Sequence, residues 1–358
     1  MAVIKLLLDS RVLYPIFLIE KYLRLLQKYY MEKSFLETGR DRVCLTTYVY
    51  GERYQAYIPF LVYTCHKSNP EYDIVLFVGG RVSEQVRKSL DVIHVDNCRI
   101  IENAFDDCPK MTPLKAMSLR WVLWDETFLN YDYIYIVDID MLYLKENMPL
   151  HQQHLIHIST TGLSFDNMRR RYLLKPFNIT TMLQRIKYAG FQNFLSFLFG
   201  DKIVYRASGL HFIKVKDYYS KFTEEYREHY KKLIYNNKWL KDVKIPDNEA
   251  LLYHMLDKAE LHPEKLPTQS NPYSSIDFQN PGRVEFRPHH GIHLGLFRSS
   301  IGESEKSILE CSTYKYYSEV YKEDLLNDIL FTRLINEAPT YIKNSFMLMY
   351  NYYGFETK

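Results

Sequence analysis

The sequence predicts an α/β protein with a mixed, mainly parallel sheet flanked by helices. The first observation behind this prediction is an alternation of strand and helix patterns that begins at Arg42. The second is an apolar run over residues 133–137 that ends in two aspartates, Asp138 and Asp140. Such an alternation favours parallel strands joined by crossover helices, and open α/β sheets bind ligands at the carboxyl ends of their strands. We therefore expect the two aspartates to lie at a ligand site.

The elements before the aspartates follow one another in βαβ order. Residues 42–50 are β-branched and aromatic and predict a strand, residues 51–70 predict a turn and a helix, and DIVLFVGG predicts a second strand. A helix around 83–90, a short strand at 98–102 and a helix over 112–128 continue the pattern. The aspartates are therefore expected at the end of a central strand.

The elements after the aspartates are less regular. Residues 148–200 are mixed, with two helices expected over 178–198, and we interpret them as an insertion. The segment DKIVYRASGLHFIKVKDYY predicts a strand, a kink at Ser208 and Gly209, and a second strand that enters a helix. Asp247 is expected to cap a further helix. We expect one central domain over 41–300, an amphipathic helical segment over 1–40 and a helical extension over 301–358.

Composition excludes several classes of function. Of the 358 residues, 47% are hydrophobic and 25% are charged, which is typical of a folded globular protein. Lys and Arg exceed Asp and Glu by only three, so nucleic acid is not an expected partner. The five cysteines are scattered without a C-x-x-C pair, which argues against a zinc knuckle or a disulfide framework. No run approaches the roughly 18 apolar residues of a membrane span, and a cytoplasmic protein is expected.

The segment 15–30 predicts an amphipathic helix with basic residues between apolar ones. Such a helix either packs on its own domain or lies on an anionic membrane surface. In the second case the protein would be peripheral on the inner face of the cell membrane.

The two aspartates indicate a metal-dependent enzyme. Side chains two apart on a strand share a face, so Asp138 and Asp140 emerge together where the strand reaches the surface. Paired carboxylates suit a hard divalent cation such as Mn²⁺ or Mg²⁺, which can in turn hold a diphosphate. The substrate is therefore expected to be phosphorylated.

Four features in a fixed order resemble a known family. They are CLTTYVYGERY, the pair SLRW and YDYIYIVDID, the kink SGLHF, and the late motifs PDNEALL and HHGIHLG. Together they cover about 42–298 and resemble a GT-A fold glycosyltransferase, similar to the retaining glycosyltransferase family 8 and to bacterial surface-polysaccharide enzymes. The resemblance implies a Rossmann-like catalytic domain and a hexosyltransferase that moves a sugar from a nucleotide sugar, such as a UDP-sugar, to a glycan or lipid-linked glycan. It also implies retention of configuration.

The resemblance implies a set of site residues. Those expected at the nucleotide, phosphates and sugar of the donor are Thr46, Thr47, Tyr48, Lys115, Arg120, Ser208, Gly209, His211 and Arg298. The metal ligands are expected to be Asp138, Asp140 and a histidine of HHGIHLG, for which His293 is favoured over His290 and His289. The motif departs from family 8, which has two residues between His and Gly and a downstream Lys-Pro-Trp.

The triplet Asp247, Asn248 and Glu249 resembles the Asp-Gln-Asp element of family 8, and these are the expected catalytic residues. The family's amide lies near the reacting face of the donor sugar. Glu249 could instead be an acceptor base in an inverting reaction. Two of the residues could also simply favour a helix N-terminus.

Two rival hypotheses stay open at this point. A phosphatase of the haloacid dehalogenase type also has a strand that ends in D-x-D, with Asp138 as the nucleophile. Against it, Leu142 stands where that family has Thr or Val, and the pair Asp106 and Asp107 lies upstream rather than downstream. The other rival is a non-catalytic glycan-binding scaffold with a degenerate transferase fold.

Overall fold

The computed structural model describes residues 41–146, 148–167, 170–174, 203–243, 246–266, 275–276, 284–285, 291–298, 306, 309–310 and 312–355. The helices expected at 15–30 and 178–198, together with His289 and His290, lie outside the described residues. Within the described part, no helix is long and apolar enough to cross a membrane.

Twelve strands are described. They are β1 Val43–Tyr50, β2 Asp73–Gly79, β3 Cys98–Ile101, β4 Tyr133–Ile136, β5 Met141–Tyr143, β6 Phe165–Asn167, β7 Arg170–Leu174, β8 Ile203–Ala207, β9 His211–Lys214, β10 Ser275–Ile276, β11 Val284–Glu285 and β12 Gly291–His293. Six of them form a sheet in the order β3-β2-β1-β4-β9-β6. The first four strands in this order are parallel to one another, and β9 is antiparallel to both of its neighbours. The predicted α/β fold with a mixed, mainly parallel sheet is therefore confirmed.

The described α-helices flank the sheet. They are α1 Glu52–Gln55, α2 Ile58–Ser68, α3 Glu84–Ile93, α4 Pro113–Leu119, α5 Leu150–Thr161, α6 Val215–Tyr219, α7 Glu224–Tyr235, α8 Asn248–Lys258, α9 Ser312–Asp324, α10 Ile329–Glu337 and α11 Thr340–Tyr353. The segment 112–128 was predicted as one helix but forms α4 and two short 3₁₀ helices, Arg120–Val122 and Glu126–Asn130. Asp125 accounts for the second break, because its carboxylate accepts from the backbone N–H of Thr127 and caps a new turn.

Two hydrophobic cores lie on opposite faces of the sheet, because side chains alternate along each strand. Along β1, Val43 and Leu45 belong to the first core and Cys44 to the second. The C-terminal helices contribute Phe331 and Phe346 to the first core, where both rings contact Phe60 of α2. The region predicted as a C-terminal extension thus shares its core with the sheet.

The antiparallel strand β9 brings a second loop to the edge of the sheet at which β4 ends. Ile136 at the end of β4 pairs with His211 at the start of β9, and Asn167 at the end of β6 pairs with the same residue. The loop before β9, which contains Ser208 and Gly209, therefore lies at the same edge as the residues that follow β4. The sheet places the first aspartate and the kink side by side.

Candidate functional site

The first part of the site is an ion pair between Asp138 and Arg120. Asp138 follows β4, and Arg120 begins the 3₁₀ helix after α4. Their side chains are bonded, with that of Arg120 10% exposed and that of Asp138 28% exposed. The guanidinium carbon lies 4.3 Å from the centroid of the Trp121 ring, which fixes its plane. The Nε of Arg120 is buried without a hydrogen-bond partner among the described residues.

The second part of the site joins Asp140 to His293. The strand β12 pairs antiparallel with β5, so that His293 lies opposite Met141. This register places Nε2 of His293 3.0 Å from Oδ1 of Asp140. The backbone N–H of Leu294 donates to the Asp140 carbonyl at 2.9 Å, and the His293 N–H donates to the Tyr314 hydroxyl at 3.1 Å. Hydrogen bonds made by the main-chain groups of Asp140 and His293 therefore hold both residues in place.

Gly295 leaves room for this pair. A Cβ at this position would overlap Oδ2 of Asp140 and would lie 3.2 Å from Nε2 of His293. A side chain here would therefore force the Asp140 carboxylate away from His293. This explains a glycine two residues after the histidine.

The third part of the site is the first turn of α8. The Asp247 carboxylate caps the helix and accepts from the N–H groups of Glu249 at 2.9 Å and Ala250 at 3.2 Å. The Asn248 carbonyl accepts from Nε1 of Trp121 at 2.9 Å, which ties this turn to the residue beside Arg120. The amide nitrogen Nδ2 of Asn248 is buried without a partner among the described residues. A buried donor of this kind is costly unless a ligand or water satisfies it.

Gly209 connects the first and third parts of the site. Its backbone N–H donates to Oε1 of Glu249 at 3.2 Å. A Cβ on Gly209 would lie 2.7 Å from Nη2 of Arg120 and 3.1 Å from Oδ2 of Asp138. The kink, the aspartate, the arginine and the α8 triplet, which were predicted from separate motifs, therefore form one contiguous group.

Two supporting residues escaped the sequence prediction. Arg206 binds the carboxylates of Asp247 and Glu249, and the amide of Asn167 pairs with both backbone groups of Ser208, donating to its carbonyl at 3.1 Å. The sequence signal for Arg206 was only that it lies two residues before the predicted kink at Ser208 and Gly209. Nothing local reveals that β8 lies against α8.

The predicted nucleotide residues on β1 have partners inside the fold. The hydroxyls of Thr46 and Thr47 are buried and donate to the carbonyls of Val75 and Val137, each at 2.7 Å. The Tyr48 hydroxyl donates to the Ala104 carbonyl at 3.2 Å. These three hydroxyls connect β1 to its neighbours.

Of the other residues predicted to contact the sugar donor, Lys115 and Ser208 have hydrogen-bond partners inside the fold, and Arg298 is exposed. The ammonium of Lys115 is buried and donates to the carbonyls of Pro109 at 2.8 Å and Tyr235 at 2.7 Å, so it connects the loop before α4 to the end of α7. The Ser208 hydroxyl accepts from the Leu210 N–H at 3.1 Å, within the kink itself. Arg298 is exposed, five residues after His293.

His211 lies in the protein interior. The ring nitrogen Nε2 lies 3.2 Å from the Tyr218 hydroxyl, and Nδ1 lies 3.3 Å from the amide nitrogen of Asn167. Burial lowers the pKa of His211 to about 3, so the imidazole is neutral in the folded protein. The buried His211 ring therefore connects the start of β9 to Tyr218 and Asn167 in the protein interior.

This burial predicts a pH dependence of stability. Between pH 6.5 and 3 the unfolded chain binds a proton at His211 that the folded protein does not, so stability is lost as the pH falls through this window. From pH 7 to pH 5 we expect a loss of about 2 kcal/mol from this residue. Urea titrations at both pH values should show that His211→Gln loses less stability than the wild type over the same step. Equal losses in the two proteins would contradict the assignment.

The pair of Asp140 and His293 has the separation of two ligands on one cation. Mg²⁺ binds octahedrally at about 2.0–2.1 Å, which places neighbouring ligand atoms about 2.9 Å apart. The observed 3.0 Å between Oδ1 and Nε2 is the distance of an ordinary hydrogen-bonded ion pair, and it is also compatible with this value. Among the described residues, no group of three or more His, Cys, Asp or Glu side chains is arranged to hold a metal ion. A cation at this pair would therefore need further ligands from a bound phosphate or water.

Comparisons with known proteins gave structural likenesses only. No protein-family model matches the sequence, and no curated protein is significantly similar to it. The mannosyltransferase Ktr4p from S. cerevisiae is 12% identical, with 76% of this chain and 84% of that chain covered and a TM-score of 0.41.

Two further solved structures show the same level of likeness. Core-mannan synthase A from Aspergillus fumigatus, in its Mn/GDP form, is 10% identical over 61% of this chain and 70% of that chain, with a TM-score of 0.39. Galactosyltransferase LgtC, in complex with donor and acceptor sugar analogues, is 15% identical over 55% of this chain and 69% of that chain, with a TM-score of 0.31. TM-scores below 0.5 do not establish a common fold, so the function of this chain has to be inferred from its own side chains.

Proposed function

We propose that this protein is a metal-dependent GT-A glycosyltransferase that moves a sugar from a nucleotide sugar to a glycan or lipid-linked glycan. The observation that carries the proposal is the pair of Asp140 and His293 at metal-ligand separation, next to the ion pair of Asp138 and Arg120. The aspartate of each pair lies just after β4, at the carboxyl end of that strand. A diphosphate is well bound by a divalent cation together with a guanidinium, and this edge offers ligands for the cation and Arg120 for the phosphate oxygens.

The residues present fit Mn²⁺ or Mg²⁺. Asp140 and His293 would hold the cation, and Asp138 would join them or accept a hydrogen bond from the ribose or sugar of the donor. When bound, the cation would neutralise the charge that develops on the departing diphosphate. The protein contributes a partly buried setting in which that charge is weakly screened.

Arg120 is suited to the phosphate oxygens. A guanidinium offers five donors in a planar fork, of which the bond to Asp138 uses only part. Its Nε has no partner among the described residues, and the Trp121 ring holds the plane. The arginine can therefore keep its contact with Asp138 and still donate to a ligand.

Asn248 is suited to a hydroxyl of the donor sugar. Its carbonyl is bonded to Trp121, while its side-chain amide has no partner among the described residues. The same turn is joined through Gly209 to the Asp138 side of the site. A polar, uncharged group at this place would orient the sugar without competing for the metal.

The resemblance of the sequence motifs supports finer proposals. We propose a UDP-sugar donor, transfer with retention and a role in bacterial surface-polysaccharide synthesis. We also propose a cytoplasmic protein that docks on the inner face of the membrane through residues 15–30. The hydroxyls of Thr46, Thr47 and Tyr48 would then act on the nucleotide indirectly, by fixing the end of β1.

A donor screen tests the proposed function. UDP- and GDP-sugars are incubated with the protein and Mn²⁺ or EDTA, and free nucleoside diphosphate and inorganic phosphate are quantified separately. Transfer to water or to a glycan acceptor releases nucleoside diphosphate, and only with Mn²⁺. Failure to release nucleoside diphosphate from any nucleotide sugar, together with release of inorganic phosphate from a sugar phosphate assayed in parallel, would contradict the proposal and favour a phosphatase.

A further inference from the structure

Arg206 binds both carboxylates of the α8 turn. On β8, its Nη2 lies 2.7 Å from Oδ2 of Asp247 and 2.8 Å from Oε2 of Glu249, and its Nε donates to Oδ1 of Asp247 at 3.2 Å. The arginine side chain is 14% exposed. A single guanidinium therefore bridges two acidic residues that are two apart in sequence.

This bridge has an electrostatic reason. Two carboxylates at one helix turn repel each other, and a partly buried setting strengthens that repulsion. The planar fork of arginine can bond both at once, which a lysine ammonium does with less directional control. Arg206 therefore holds both carboxylates in fixed positions on the α8 turn.

The bridge also determines what Glu249 can do. Oε2 of Glu249 is bound by Arg206, and Oε1 accepts from the Gly209 N–H. With both oxygens bonded, this carboxylate is poorly placed to accept a proton from an acceptor hydroxyl. It instead connects the α8 turn to the kink at Gly209.

We propose that Arg206 is a positioning residue that fixes Asn248 and Gly209 against the donor sugar by clamping Asp247 and Glu249. The inference rests on the proposed function, because it assigns the α8 turn to the sugar and the aspartate edge to the diphosphate. Arg206 has no contact with Asp138, Asp140 or His293 among the described contacts. Its loss should therefore affect the chemical step much more than binding of the diphosphate.

The test separates these two effects. For the nucleotide sugar found in the donor screen, kcat and KM are measured, and calorimetry gives Kd for the matching nucleoside diphosphate with Mn²⁺. For Arg206→Gln we expect kcat to fall about 10- to 100-fold, as misplacement of a positioned group does. We expect the Kd of the nucleoside diphosphate to stay within about threefold, because the metal pair and Arg120 are untouched.

Two further variants serve as controls. Arg206→Lys keeps the charge and should recover part of kcat, whereas a purely steric role would give no such rescue. Arg99→Gln breaks another arginine–carboxylate ion pair, that with Asp125 at 2.6 Å. Arg99 lies on β3, at the edge of the sheet and away from β4, so this variant should leave kcat unchanged. Thermal melts of all variants identify any that fail to fold.

The outcomes are distinguishable. A raised Kd for the nucleoside diphosphate with kcat retained in Arg206→Gln would overturn the positioning role but leave the proposed function intact. The role would also be overturned if Arg206→Lys lost as much kcat as Arg206→Gln while both variants stayed folded. A wild-type protein that binds no nucleoside diphosphate with Mn²⁺ would remove the proposed function, and this inference with it.

Discussion

Asp140→Asn is expected to abolish the stabilisation that Mn²⁺ and a nucleoside diphosphate together give the protein. An amide is a much weaker ligand for a hard cation than a carboxylate, and it leaves only His293 of the pair. A ligand at about 100 times its Kd stabilises the native state by about 2.7 kcal/mol. The wild type should show this gain in thermal melts with Mn²⁺ and UDP or GDP, and the variant should not.

A matched control makes the comparison specific. Asp91 is an exposed aspartate on α3, and Asp91→Asn makes the same chemical change away from the site. This control should keep the full stabilisation by Mn²⁺ and the nucleotide. An Asp140→Asn variant that still gains as much as Asp91→Asn would show that Asp140 holds no metal.

Asp138→Asn is expected to destabilise the protein even without ligand. The Arg120 side chain is largely buried and would lose the carboxylate that balances its charge. Removing one partner of a fully buried pair costs about 3–5 kcal/mol. Because the Asp138 side chain is 28% exposed, we expect a smaller loss of about 1–3 kcal/mol in urea titrations.

A double variant separates this charge effect from metal binding. Arg120→Met combined with Asp138→Asn removes both charges, and it should recover most of the lost stability because no unpaired charge stays buried. It should not recover stabilisation by Mn²⁺ and nucleotide. If the double variant were as unstable as the sum of the two single variants, the two side chains would not be energetically coupled.

Local sequence patterns predicted much of the fold and singled out several of the groups that the fold brings together at the candidate site. The buried strand before Asp138 and the kink before β9 were visible as apolar periodicity and a Ser-Gly pair, and the Asp247 cap follows from helix chemistry alone. The parallel pairing among β1, β2, β3 and β4 was expected from the alternation of strands and helices. These features depend on residues that are close in sequence.

Non-local contacts account for what the sequence did not predict. The packing of β8 against α8 brings Arg206 to the α8 turn. No local pattern in the sequence marks Arg206 out from the other basic residues for this role. Lys115 and Thr46 carry polar groups typical of a ligand site, yet each donates to a backbone carbonyl from a distant segment. Which polar groups are used internally is decided by packing, and a single sequence does not encode that packing locally.

The most direct test of the proposed function is the calorimetric affinity of the wild-type protein for UDP and GDP, with Mn²⁺ and with EDTA. The proposed cation site predicts that at least one nucleotide binds with Mn²⁺, that EDTA abolishes this binding, and that His293→Gln weakens it strongly. Equal affinity with Mn²⁺ and with EDTA, or no binding of either nucleotide, would contradict a metal and diphosphate site at Asp140 and His293.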